Sequence, residues 1–102
     1  MKILPQPIAF QWDKGNIDKN FIKHDVTVQE AEEVFLNESF IVAEDVKHSD
    51  TKEQRFYGLG QTRSGRKLFV AFTVRDKKIR IISIRDMKKK ERTAYERLET
   101  SS

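Results

Sequence analysis

Apolar residues along the chain fall into short runs that read as strands and wider-spaced stripes that read as helices. Leu68–Val74 and Ile79–Ile84 are rich in β-branched and aromatic residues and are separated by Arg75-Asp76-Lys77-Lys78, which predicts an antiparallel hairpin. The second of these runs is apolar on both parities, Ile79 and Ile81 against Ile82 and Ile84, as expected of a central strand covered on both faces. Ile8-Ala-Phe10-Gln-Trp12 alternates and predicts a short first strand at a sheet edge. Phe40–Ala43 predicts another strand, followed by a polar loop over Glu44–Lys52. Gln54–Thr62 places Phe56, Gly58 and Gly60 on one parity and Arg55, Tyr57 and Leu59 on the other. Its two glycines suggest a bulge or the close approach of another backbone. Arg63-Ser64-Gly65 reads as the turn into the hairpin.

Three helices are expected. Asp13 would cap one running through Lys23, with Ile17, Phe21 and His24 on one face. Thr27-Val-Gln-Glu30 is a capping-box pattern opening a second, whose stripe is Val28, Ala31, Val34 and Phe35 and whose end is Asn37. The third would start near Asp86 and carry Met87, Glu91, Ala94, Tyr95 and Leu98 along one side, with Lys88, Lys89, Lys90 and Arg92 turned away and 99–102 frayed. The fold class is therefore α+β: an N-terminal strand plus a four-strand meander in a mainly antiparallel sheet, packed by two N-terminal helices and one C-terminal helix. A chain of 102 residues supports one domain, here 1–102 with its core over about 8–98.

The formal charge of +4 conceals an asymmetry. Residues 29–53 hold eight acidic and two basic side chains, and residues 75–97 hold ten basic and four acidic ones. Such a layout directs the C-terminal part toward a polyanion or an acidic protein, or else is an ordinary solvated surface. With no cysteine, disulfides and thiolate metal sites are ruled out. Met1-Lys2-Ile3-Leu4-Pro5 lacks the pattern of a signal peptide, and no apolar run approaches the ~20 residues of a membrane span, so a cytoplasmic protein without membrane partners is expected.

Arginines carry the candidate chemistry. Arg55, Arg63, Arg66, Arg80 and Arg85 lie on strands or their turns, and an arginine fork suits bidentate contact with phosphate. Glu91 sits on the apolar side of the last helix, where it would clamp Arg85 structurally, or else orient an arginine or act as a base beside a phosphate. His24 is either a helix-end core residue or, with Lys23, a proton-transferring group, while His48 stands alone in a polar loop. Two histidines do not specify a metal site. Lys88-Lys89-Lys90 reads as a solvated or phosphate-backbone surface. Neither a phosphate loop nor a serine or cysteine triad is present.

Phe10-x-Trp12-Asp13, Asn20-x-x-Lys23-His24-x-Val26, Glu30-Ala31, His48, Glu53-x-Arg55, Gly65-Arg66, Ile79-Arg-Ile-Ile-Ser83-x-Arg85 and Glu91-Arg92-x-x-Tyr95 together resemble the BrnT toxins. The chain departs from that pattern at Asn16 (commonly lysine), Asp25 (commonly glycine), Val28 (commonly phenylalanine) and Met87 (commonly alanine). The resemblance implies a RelE-like fold and a ribonuclease of a type II toxin–antitoxin pair, with no cofactor. It implies a BrnA-like ribbon-helix-helix antitoxin as partner, through which alone operator DNA would be met. Catalysis on mRNA would then fall to Lys23, His24, Arg55, Arg66, Arg85 and Glu91, and RNA binding to Arg63, Arg80, Lys88, Lys89, Arg92 and Tyr95. The alternatives are a non-catalytic module that binds nucleic acid or an acidic protein, and a degenerate toxin retained as a co-repressor.

Overall fold

The capping box forms as its residue pattern requires. In the computed structural model, which describes residues 4–5, 7–13, 15, 24–45 and 54–101 (backbone alone at 100 and 101), helix α1 spans Val28–Leu36. The Thr27 hydroxyl accepts from the Glu30 amide at 3.1 Å, and the Glu30 carboxylate accepts from the Thr27 amide at 3.1 Å. Two of the helix's orphan donors are thereby satisfied. Ala31, Val34 and Phe35 are buried along the predicted stripe, and Asn37 is the C-cap.

Four antiparallel strands follow as a meander: β1 (Ile41–Glu44), β2 (Arg55–Gln61), β3 (Lys67–Arg75) and β4 (Lys78–Asp86), in that spatial order. Asp76 and Lys77, at φ 53° and 61°, make the two-residue turn between β3 and β4. Positive φ at both central positions matches the right-handed twist of a hairpin. Against expectation, β4 ends the strand order instead of lying at its centre. Its double apolar parity has another cause. The register slips between Ala71 and Phe72, so that Val74, Phe72 and Val70 face Ile79, Ile81 and Ile84. Ile82 is the extra residue of a β-bulge, and the bulge returns Ile84 to the face that Ile79 and Ile81 already occupy. All three are buried, while Ile82 is half-buried.

The expected N-terminal strand is also corrected. Among the described residues, Phe10 makes one parallel bridge to Ile79, with Ile79 N–H donating to Ala9 O at 2.7 Å and Gln11 N–H to Ile79 O at 2.8 Å. Trp12 turns to α1, where its indole N–H donates to Glu32 at 2.9 Å. The bulge at Ile82, three residues beyond Ile79, adds twist to the edge this segment would have followed. The helix expected over 13–23 lies almost wholly outside the described residues, as do Asn16 and His48.

One sheet face carries the core: Phe56, Leu68, Val70, Phe72, Ile79, Ile81 and Ile84, closed by Val26, Ala31, Val34 and Phe35. Phe72 is its hub, edge-on to Phe35 at 5.0 Å and stacked on Phe56 at 5.5 Å. The β2 glycines mark no bulge; they admit side chains and, at Gly58, the close approach of a backbone as well, with Ile41 O 3.1 Å from where a Cβ would lie. A Cβ on Gly58 would lie 2.5 Å from the Phe40 ring, and one on Gly60 would lie 2.8 Å from Val34 Cγ1.

The opposite face is crossed at one end by helix α2, Lys89–Ser101. Lys67 pairs with Glu96 at 3.1 Å, and Gln61 donates to Glu99 at 3.2 Å. The helix starts later than expected, because Met87 is buried in extended chain before it, and it runs through 101 without fraying at 99. Its apolar stripe is narrower than predicted. Tyr95 is fully buried, whereas Ala94 and Leu98 are exposed, because the helix crosses only the end of the sheet. Neither described helix is long and apolar enough to cross a membrane.

Asp25 adopts φ 54°, a left-handed backbone that favours glycine. Asp25→Gly should therefore raise stability, by about 0.5–1 kcal/mol once glycine's greater chain entropy is set against the strain removed. Thermal melting of the two proteins checks this.

Candidate functional site

The far end of β4 is where several of the predicted residues meet. Arg66, just after the Arg63–Gly65 turn, extends across this end, and all five of its N–H groups find acceptors. Nε donates to Asp86 Oδ1 at 2.8 Å and Nη2 to Asp86 Oδ2 at 3.1 Å, a bidentate fork. Nη1 donates to the Asp25 carbonyl at 2.8 Å and to Glu30 at 3.2 Å, and Nη2 also reaches the His24 carbonyl at 3.1 Å. One side chain thus ties β3, β4, α1 and the segment entering α1. The hydrogen bonds to Asp86, opposed by partial burial, hold Arg66 more firmly protonated than usual.

Each carboxylate in the cluster titrates low. The Arg66 hydrogen bonds hold Asp86 below its ordinary range against some burial, with the charges of Arg66, Arg92 and His24 adding to the effect. For Glu30, burial acts upward, but the Thr27 amide and Arg66 outweigh it and the net shift is down. His24 and Arg92 therefore belong to the same electrostatic neighbourhood as Arg66 and Asp86.

Arg85, the residue before Asp86, lies on the opposite sheet face. Its Nη1 and Nη2 donate to Glu91 Oε1 and Oε2 at 2.8 and 3.0 Å, and Nη1 also reaches the Asp86 carbonyl at 3.1 Å. Glu91 accepts from the Lys88 amide at 2.8 Å as well, so it caps α2 while it holds the arginine. The Arg85 bond, partly opposed by burial and helped by Lys88, keeps Glu91 below the usual carboxylate range. Glu91 is therefore ionised near neutral pH, able to orient a cation or accept a proton but not to donate one. Arg85 also lies over the Phe69 ring, 4.2 Å from its centroid.

The other candidates divide. Lys88, Lys89 and Arg92 are exposed around the start of α2, beside this end of β4. Arg63 is exposed at the β2–β3 turn, with its amide on Glu33 at 3.1 Å. Arg55 and Arg80 are elsewhere: they flank Thr73 in one cross-strand row, four positions from Phe69 and hence about 13 Å along the strands. Arg80 lies 3.9 Å from Asp13. Tyr95 is corrected as an RNA contact, because it is fully buried beneath α2 and its hydroxyl is enclosed. Burial, then the Glu99 charge, push that phenol up against a weaker opposing contact with Ser39. Lys23 lies outside the described residues.

Sequence reasoning did not single out Asp86, Phe69 or Tyr57. The carboxylate directly after Arg85 was a usable signal for the first. The other two share the parity of Arg55 and Lys67, opposite to the core, where an aromatic residue has no packing duty.

A family model described as "Ribonuclease toxin, BrnT, of type II toxin-antitoxin system" matches residues 12–91. No curated protein matches the chain in sequence.

Proposed function

The chain belongs to the BrnT family of ribonuclease toxins of type II toxin–antitoxin systems, and on that premise we propose that it is a metal-independent endoribonuclease that cuts mRNA and so arrests translation and growth. The observation that carries this reading is the pair of clusters at one end of β4, Arg66 with His24 and Arg92 about Asp86, and Arg85 with Glu91 on the other sheet face. In-line attack of a ribose 2′-oxygen on the adjacent phosphorus would form the new P–O bond as the bond to the 5′-oxygen breaks, leaving a cyclic phosphate. The 2′-hydroxyl proton passes to a base, and the departing oxygen takes a proton from an acid. Glu91, ionised and within reach of Arg85, serves as orienter or base, and His24 or Lys23 as the proton carrier. Arg85 offsets charge on the phosphate in the transition state. Arg66 serves differently, because its donors are committed to the frame around His24. Arg55 and Arg80 would contact RNA farther along the strand.

A BrnA-like ribbon-helix-helix antitoxin would silence the toxin by covering this basic end, and through it the pair would reach operator DNA. The cytoplasm is the compartment where mRNA and such an antitoxin are met. The internal pairing of Arg66 favours one competing reading, a binding module whose arginines serve structure alone. Purified protein incubated with RNA in EDTA separates the two. Cleavage with cyclic-phosphate ends is expected, and intact RNA under conditions where the protein is folded would overturn the nuclease reading.

A further inference from the structure

The sheet face that α2 only partly crosses carries a row of π groups that the core does not use. Tyr57 on β2 stacks on Phe69 on β3 at 6.1 Å between centroids and 26° between planes. Phe69 is in turn covered by the Arg85 guanidinium at 4.2 Å. The solvated face of an antiparallel sheet is ordinarily polar. Here Tyr57 is 40% exposed, and Phe69 is half-buried. The row runs across three strands toward Arg85 and Glu91. Cations stand beyond it on the same face, with Arg55 and Arg80 flanking Thr73.

We propose that Tyr57 and Phe69 form a stacking platform for a base of single-stranded RNA, next to the phosphate that Arg85 contacts; this rests on the ribonuclease reading. An RNA single strand offers flat π faces at intervals along an anionic backbone, and this face offers rings at its centre with guanidinium groups at both ends. Stacking on aromatic side chains accepts any base, because every base has a π face. The platform therefore selects unpaired RNA over duplex and contributes little sequence preference. Neither ring touches the reacting atoms; both act by positioning the nucleotide.

The test uses a short single-stranded RNA whose 2′-hydroxyls are methylated, so that binding is read without cleavage, by fluorescence anisotropy. Tyr57→Ser should weaken binding roughly ten- to a hundred-fold, with Tyr57→Phe close to wild type. The same oligonucleotide with an abasic site at the stacked position should bind more weakly to wild type and lose nothing further with Tyr57→Ser. On cleavable RNA the variant should raise KM far more than it lowers kcat. Tyr57→Ser with unchanged affinity, or with equal losses on intact and abasic strands, overturns the platform while cleavage still stands. Platform-dependent binding by a protein that never cuts RNA would sink the nuclease reading and leave the platform.

Discussion

Arg85→Ala is expected to lose RNA cleavage by about 10²–10³-fold, as removal of one preorganised transition-state contact does elsewhere, and with it growth arrest on expression. The fold should survive. The Arg85–Glu91 pair is only three-quarters enclosed, with 24% of each side chain exposed, so its loss costs about 1 kcal/mol and a few degrees of Tm. Arg85→Lys keeps the charge but not the fork and should recover only part of the rate. Glu91→Gln then separates orienter from base. An orienting Glu91 leaves the pH–rate profile in place, whereas a general base takes its acidic limb away. A folded Arg85→Ala protein that cuts RNA at the wild-type rate would remove the residue from the site.

Arg66→Met should do the reverse and act mainly on stability. Methionine keeps apolar bulk but leaves the Asp86 and Glu30 carboxylates and two carbonyls without their shared donor. Water re-solvates Asp86, whose side chain is 62% exposed, so the loss falls mainly on Glu30 and the carbonyls and costs about 1–2 kcal/mol in sum, several degrees for a domain of this size. The acid limb of stability should change with it. Asp86, Glu30 and Glu91 all titrate below their ordinary values of 3.8, 4.5 and 4.5 when folded. The unfolded chain thus binds protons that the native state refuses, so their stabilisation is complete above those values and fades as pH falls through the folded ones. Thermal melts of wild type should be level from neutrality to about pH 5.5 and decline below about pH 4. In Arg66→Met the Asp86 share of that decline should shrink most, and the Glu30 share less, because the Thr27 amide still holds that carboxylate. An equally steep decline in the variant would show that Arg66 does not set it.

The two glycines of β2 and the isoleucines of β4 show how far local pattern reaches. Their spacing located the strands and the hairpin, because strand periodicity and turn chemistry act between neighbours in the chain. The same isoleucines misplaced β4 at the sheet centre, since an apolar residue on each parity looks alike whether two faces are covered or a bulge has shifted the register. Thr27 and Glu30 declared α1 because a capping box closes within three residues.

What the sequence by itself determined is the α+β class, the α1 box, the meander, and the residue set that marks the family, all of which rest on short-range rules. Only the tertiary structure decided that Arg66 spends its donors inside, that Tyr95 is buried, that Arg55 and Arg80 stand about 13 Å from Arg85 along the strands, and that Tyr57, Phe69 and Arg85 line up. Those outcomes depend on register between strands distant in sequence, and a one-residue slip of register sends a side chain to the other face.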